Sequence, residues 1–511
     1  MPRQSTTSST FSRRSILTWA GIGLGAAVTG CRFDSESEGQ AAQNISSADW
    51  TGLGSKLRGE LVLPGQSAYG TARLSFSPLF DTNMPAGVAQ VASAADVQQC
   101  IAFARSEGLH LAARSGGHSY AGYSTPDKGL VVDLGAMSSI VANADGTADI
   151  GAGARLGDVY ATLGAAGVCV PGGSCPSVGI GGVTLGGGIG VLTRLHGLTC
   201  DSLLSADIVL PDGTMKTVSA DDDEDLYWAL RGGGGGNFGI VTSFKFRTYA
   251  APDINVFSVK FPAGSAASVL AAWQTWMQSA PPELWSTCVV SAGNPATARI
   301  SGSFVGTASA LAGLLAQVKT AARATPLSEH ATPKSYLDAM KYFGGCSTLT
   351  TQQCHLATPG GAGQIEREAF YASSRVVADP IADPSKIATL VRSYSGMDLL
   401  FDSLGGTVGS LAADATAFPH RTAIASCQIY KGCSTATRAA AAQQVGEVQT
   451  ALAGIVGVGA YANYIDPNQK DWASATFGAN LPKLQAVATK YDPDRIFGVK
   501  QGINATLTAP A

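Results

Sequence analysis

The stretch RSGGHSY, residues 114–120, sets an imidazole behind two glycines, after the alternating run GLHLAA. A histidine on so bare a backbone can meet a group that comes very close to the main chain. A second stretch, GGSCPSVGIGGVTLGGGIG at 172–190, is dense in glycine yet interleaves Val178, Ile180, Val183, Leu185 and Ile189 at strand-like spacing. Its backbone N–H groups can approach a large flat or anionic ligand without interference from Cβ atoms, and the interleaved apolar residues argue against a linker. A third cluster, GGGGGNFG at 232–239, contains G-x-G-x-x-G at Gly234, Gly236 and Gly239. A dinucleotide fingerprint needs a strand before it and a helix after it. Here the helix-like DLYWAL comes first and the strand-like GIVTSFKFRTY second, which rejects that reading. No Gly-Lys-Ser/Thr follows any cluster, which removes the P-loop.

These segments act as a set. RSGGHSYAGYS (114–124), GAGARLGDVY (151–160), GGSCPSVGIGG (172–182), GGGIG (186–190), ALRGGGGGNFGIVTSF (229–244), FPHR (418–421) and YANYID (461–466) resemble the berberine-bridge-enzyme-like branch of the covalent flavoprotein oxidases. The resemblance implies an α+β chain: a two-subdomain FAD-binding domain of the vanillyl-alcohol-oxidase or PCMH type, then an α+β substrate domain with an antiparallel sheet covered by helices. A C-terminal segment is expected to return to the FAD domain. It further implies an FAD-dependent oxidase that takes hydride from an alcohol, sugar or secondary metabolite and reduces O2 to hydrogen peroxide. The alternatives are a dehydrogenase with another acceptor, and a ligand-binding surface lipoprotein on the same fold.

By the same resemblance FAD is bonded twice, through His118 to the 8α-methyl and through Cys175 to C6. Gly116 and Gly117 admit the ring, and a thiolate is the nucleophile on the sulfur side. The competing readings are a hydrogen-bonded core histidine and a Cys169–Cys175 disulfide. The pyrophosphate is expected on N–H groups of Arg114, Ser115, Gly116, Gly117 and Ser119 and of the cluster containing Gly179, Gly182, Gly187, Gly188 and Gly190. Val178 stands where the family has an oxygen gate, and Ile240 and Asn463 complete the expected cofactor contacts. Oxidation also needs a base. Tyr464 is the favoured candidate, with Tyr461 and Asn463 beside it and Asp402 of LLFDSLGG assisting. In SCQIYKG, Gln428 and Tyr430 share a strand face that can line the pocket, although the family's usual polar residue falls on Ile429. Two departures stand out: Ile189 replaces a frequent tyrosine, and Val183 a frequent histidine near flavin N1.

The elements that must position these residues can be read from periodicity. AADVQQCIAFARSEG forms an amphipathic helix closed by Gly108. Short strands such as GLVVDLG and TADIGAG alternate with glycine turns over 83–249, the expected FAD domain. Residues 250–458 alternate strands with Ala-rich helices, as in a separate α+β domain. Residues 459–504 carry a strand and a helix around NLPKLQAVATKY. Trp273 and Trp276, at helical spacing, are read as core, with Trp285 a further aromatic of that domain.

The N-terminus carries SRRSILT, an apolar run to Val28 and then VTGC. It resembles a twin-arginine export signal with a lipoprotein cleavage site before Cys31 (residues 1–31), followed by a polar tether at 32–47. Export to the cell surface or medium is expected, with membrane contact only through a lipid on Cys31. The formal charge of −3 and the absence of basic runs argue against nucleic acid. The expected partners are a small-molecule substrate and O2, with a monomeric chain. Ten cysteines suit an oxidising compartment, and Cys346 with Cys354 and Cys427 with Cys433 are close enough in sequence to pair. Scattered histidines and the lack of C-x-x-C or H-x-x-x-H give no metal site.

Overall fold

The computed structural model describes residues 48–358 and 361–507; the expected leader and tether lie outside them. The chain begins with a mixed four-stranded sheet of β1 (Glu60–Val62), β2 (Gly87–Gln90), β3 (Leu111–Arg114) and β4 (Leu130–Asp133), in the order β1-β2-β4-β3. β2, β4 and β3 run parallel, and β1 pairs antiparallel at the edge. This domain therefore starts well before residue 83, because Val62 is buried against β2. The crossover helix Ala94–Glu107 is set by its own sequence. The Ser93 side chain caps its first turn, Val97, Ile101 and Ala104 are buried, and Gly108 closes it at φ 62°.

A second, antiparallel sheet contains β5 (Ile140–Ala142), β6 (Thr147–Gly151), β8 (Leu203–Val209), β9 (Met215–Ser219) and β10 (Ile240–Arg247), ordered β5-β6-β10-β8-β9. A short ribbon pairs β7 (Val168–Cys169) with β11 (Tyr249–Ala250). Between β7 and β8 the strand-like alternation of 178–185 is instead a short helix, Ile180–Leu185. Its apolar residues are too few for periodicity to separate the two states. Burial of Ile180, Thr184 and Leu185 on one side decides it.

The rest of the chain builds a seven-stranded antiparallel sheet, ordered β15-β12-β14-β13-β17-β18-β16. Its strands are β12 (Ile254–Lys260), β13 (Leu284–Ser291), β14 (Thr297–Phe304), β15 (Ser328–Lys334), β16 (Phe370–Val377), β17 (Met397–Ser403) and β18 (Ala425–Gly432). The helices Ala266–Ser279, Ala308–Ala322, Ser385–Val391 and Arg438–Val456 contribute to the core on one face, with Trp273 and Trp276 inside it. Period-two alternation sends Leu399, Phe401, Cys427 and Ile429 into that core and leaves Asp398, Leu400, Asp402, Gln428 and Tyr430 for the opposite face. That alternation settles a register that the sequence left open: Ile429 enters the core, and Gln428 and Tyr430 share the opposite side.

The C-terminal segment has no strand. A 3-10 turn at Ala462–Tyr464 leads to the helices Trp472–Phe477 and Leu481–Tyr491. The chain then returns to the glycine cluster, where the Ile503 N–H donates to the Asn237 side chain. Cys346 and Cys354 form a disulfide, while Cys427 and Cys433 are free. Cys427 points into the core from β18, and Cys433 lies just past the strand end. Six extended residues span roughly 20 Å, far beyond disulfide reach. Cys169 and Cys175 are likewise free.

The FPHR motif is a structural tie. Arg421, with 0% exposure, donates to both carboxylate oxygens of Asp201 at 2.7 and 2.8 Å. Removing one member of a buried pair leaves an uncompensated charge, costing about 3–5 kcal/mol. Arg421→Ala is expected to lower unfolding stability by that amount in urea denaturation, whereas Lys319→Ala, in an exposed pair with Glu329, should change it by under about 1 kcal/mol.

Candidate active site

Two glycine-bearing loops meet without intervening side chains. A Cβ on Gly116 would lie 2.2 Å from the Gly179 nitrogen, and one on Gly179 would lie 2.0 Å from Ser115 Oγ. The GAGAR segment clamps both loops. Ile180 N–H donates to the Ala154 carbonyl and Leu156 N–H to the Val178 carbonyl, both at 2.9 Å. From the other side the Arg155 guanidinium donates to the Ser115 carbonyl at 2.6 Å, and Ser115 Oγ donates to the Ala152 carbonyl. Gly117 follows at φ 69°, the left-handed turn that aims His118 along the same wall.

That wall opens on a cavity of about 1030 Å³, at the upper end of the roughly 300–1,000 Å³ common for ligand pockets. His118 and Cys175 line it, as do Ser115, Gly116, Gly117, Ser119, Val178, Gly179, Gly182, Ile240 and Asn463. The His118 ring stacks on Phe76 with centroids 3.9 Å apart. Burial, with the positive charge of Arg155, pulls the imidazole down to about 3, so it is neutral. Burial pushes the Cys175 thiol up, against hydrogen bonds from Ser177 and the Val178 backbone that favour the thiolate.

Four expected cofactor contacts fall elsewhere. Arg114 is buried in a salt bridge to Asp133 at 2.6 Å, its guanidinium also held by the Leu74 and Ala72 carbonyls. Its main chain belongs to β3, paired with β4, and does not line the cavity. Gly187, Gly188 and Gly190 also lie off the wall and serve close packing. Cβ atoms there would meet Phe418, Thr199 and the Gly172 carbonyl. The rejected cluster supplies what these do not: Gly233, Gly234, Gly235, Gly236 and Gly239 line the cavity. The signal was present as glycine density, but the fingerprint test spoke only to one way of using it.

The large sheet contributes its helix-free face to the same cavity. Glu368, Phe370, Asp398, Leu400, Gln428 and Tyr430 line the cavity beside Tyr120, Tyr461 and Tyr464. Gln428 Nε2 donates to the Tyr120 hydroxyl at 2.7 Å, and Tyr120 lies parallel to Tyr464 with centroids 5.5 Å apart. Tyr120 follows His118 by two residues, yet nothing in its type had marked it. Asp402 lies behind Tyr464 and hydrogen-bonds it. Burial raises the Asp402 carboxyl to about 6, and burial together with the Asp402 charge raises the Tyr464 phenol. Tyr461 is engaged differently: its hydroxyl accepts from Gly188 N–H at 2.9 Å, Ile189 N–H at 3.2 Å and Asn463 Nδ2 at 2.9 Å. Among the described residues the cavity wall has no lysine or arginine; its charged side chains are Glu368, Asp398 and Asp466.

Two of the segments that build this site match known families. A profile described as FAD binding domain matches residues 85–219, and one described as berberine and berberine like matches 460–504. The FAD-linked oxidoreductase YgaK of Bacillus subtilis is 30% identical over 459 residues, 88% of this chain and 97% of its own. The chain belongs to the berberine-bridge-enzyme-like FAD-linked oxidoreductases. Another berberine-bridge-like relative, the chitooligosaccharide oxidase of Gibberella zeae, is 31% identical over 448 residues, 82% of this chain and 87% of its own. The crystal structure of an Acremonium strictum glucooligosaccharide oxidase, described as revealing a novel flavinylation, superposes with a TM-score of 0.78. It shares 26% identity and covers 91% of this chain and 98% of its own. This berberine-bridge-like chain is thus an FAD-linked oxidase, and the wall fits its cofactor: a long glycine-lined slot with donors along one side.

Because Gly116 and Gly179 touch directly, Gly179→Ala should force the loops apart. The purified variant is expected to lose FAD absorbance by more than about tenfold while keeping its far-UV circular dichroism. Gly182→Ala, where a Cβ meets nothing within 4 Å of protein, tests whether the space belongs to the cofactor: it should weaken FAD binding without lowering apoprotein stability.

Proposed function

We propose that the chain is an exported oxidase whose FAD is bonded to both His118 and Cys175, acting on the hemiacetal or alcohol carbon of a sugar or oligosaccharide. The observation that carries this is one cavity whose wall brings a neutral imidazole and a thiol on abutting loops together with Tyr464, which is backed by the Asp402 carboxylate. The glucooligosaccharide oxidase flavinylation and the oligosaccharide relative support the cofactor linkage and the substrate class. Bound FAD would supply a two-electron acceptor for substrate hydride and pass the electrons to dioxygen, giving hydrogen peroxide.

The chain's own residues have distinct parts in this reading. Tyr464 takes the proton of the substrate hydroxyl at its phenolic oxygen, and Asp402 receives the Tyr464 proton. A phenol ordinarily titrates near 10, so the transfer relies on an ionised Asp402 behind it. Gln428 holds Tyr120 in place, and the two form the substrate-facing polar wall. Tyr461, with three N–H donors on its oxygen, anchors the Gly188–Ile189 backbone and is a positioning residue. Backbone N–H groups of the Ser115–Ser119 and Gly179–Gly182 segments would hold the pyrophosphate, since no basic side chain reaches the wall.

The Asp402 carboxyl, at about 6, sets the acid limb of the pH profile. As pH falls through about 6 it protonates and can no longer accept from Tyr464, so kcat/KM should fall with it. Asp402→Asn should lose that limb and about 10²–10⁴-fold in kcat at pH 8. Its folded-state value lies above the unfolded one, so charging Asp402 costs stability as pH rises from about 4 to 6. The variant should therefore melt no lower than wild type at pH 8, which separates lost chemistry from lost folding.

The linkage is checked by acid precipitation. Wild-type colour should stay in the pellet, His118→Ala and Cys175→Ala should each retain it through the remaining bond, and the double variant should release yellow supernatant. Colour released from wild type would overturn the covalent reading. Oxygen consumption and peroxide formation on oligosaccharides test the oxidase reading separately.

A further inference from the structure

Ser177 is not on the cavity wall, and nothing in the chemistry above uses it. It is 2% exposed, two residues after Cys175 and directly before Val178. Its hydroxyl oxygen lies 3.0 Å from His118 Nε2 and 3.4 Å from Cys175 Sγ. One buried hydroxyl thus joins the two side chains assigned to flavin attachment. A serine hydroxyl has one proton and two lone pairs. It can donate to the imidazole nitrogen and accept from the thiol at the same time. The Ser177 backbone also hydrogen-bonds the His118 ring, so this one residue holds the imidazole through both its main chain and its hydroxyl.

Attachment at sulfur requires the thiol to lose its proton. Burial favours the neutral thiol and the neutral imidazole, so a preformed thiolate–imidazolium pair is a poor starting state. A base that removes the proton while the new bond forms avoids that state. The charged and titratable groups around the pair are Arg155 toward His118, and Glu368, Tyr120 and Tyr160 toward Cys175. None of them bridges Sγ and Nε2.

We propose that Ser177 is the positioning residue through which the Cys175 thiol passes its proton to His118 as Sγ bonds to flavin C6. The step rests on the covalent reading above. In it the Cys175 S–H bond and the flavin C6–H bond break and the Sγ–C6 bond forms. The two electrons, the C6 proton and the thiol proton handed on from His118 Nε2 end on dioxygen as hydrogen peroxide, the acceptor already invoked for turnover, so that His118 returns to its neutral form. Ser177 takes the thiol proton on its oxygen while giving its own to Nε2, and so ends unchanged.

The test follows attachment, not turnover. Apoprotein from a riboflavin-starved host is mixed with FAD in air, and intact mass with peptide mapping is read over time. Wild type should gain one FAD that joins the Cys175 and His118 peptides. In Ser177→Ala the Cys175 link should form about 10²-fold more slowly at pH 7. It should accelerate with pH as the thiol ionises unaided, and Ser177→Thr should restore the pH 7 rate. Flavin absorbance of the Ser177→Ala complex before acid treatment reports that the pocket is folded and filled. Attachment in Ser177→Ala at the wild-type rate, or slow attachment that pH and threonine leave unchanged, overturns the relay alone. A wild type with no Cys175 adduct overturns the covalent reading and the relay with it.

Discussion

The direct contact of Ser115–Gly116 with Gly179 is the constraint on which the rest of the site hangs. Any Cβ at either glycine would collide with backbone or with Ser115, so the two loops can meet only as bare main chain. Interiors are packed at crystal-like density and have no slack to absorb such a clash. With the loops abutting, a histidine two residues beyond one contact and a cysteine four residues before the other face a common slot. The GAGAR segment supplies the hydrogen bonds that make this approach stable, and Arg155 adds a charge that helps keep the histidine neutral.

The second half of the site follows from the opposed faces of one sheet. The helix-covered face of the seven-stranded sheet holds an apolar core that includes Trp273, Phe401 and Ile429. Strand alternation then presents polar groups on the other face at fixed spacing. Asp402 lies on that face opposite Thr287 of β13, deep enough that burial raises its carboxyl. A rigid sheet thus holds the proton acceptor, while Tyr464 comes from a short turn in the C-terminal segment. The chemistry sits where a strand and a returning terminus meet.

How much of this could be read beforehand depended on the range of the interaction. His118, Cys175 and Tyr464 come together on one cavity wall with Asp402 hydrogen-bonded to Tyr464, a grouping legible beforehand because their motifs keep the family order along the chain. The helix at Ala94–Glu107 was equally plain, since its cap, apolar face and closing glycine all lie within one window. Arg114 and the Gly187–Gly190 cluster were misassigned because their partners, Asp133, Phe418, Thr199 and Gly172, are known only after folding. Gly233–Gly236 were passed over because the fingerprint asks about order of elements, whereas the cavity uses only the lack of side chains. Ser177 and Tyr120 gave no signal of their own: a serine or tyrosine becomes informative only through what stands 3 Å from it.

The cavity wall without lysine or arginine has a bearing on traffic through the site. A neutral ligand in the cavity meets the carboxylates of Glu368 and Asp398, which can accept from its hydroxyls. An acidic group on such a ligand would face a like charge on the same carboxylates. In a partly enclosed, low-dielectric space that repulsion is worth more than in water. Around those two carboxylates the wall therefore favours neutral groups over acidic ones.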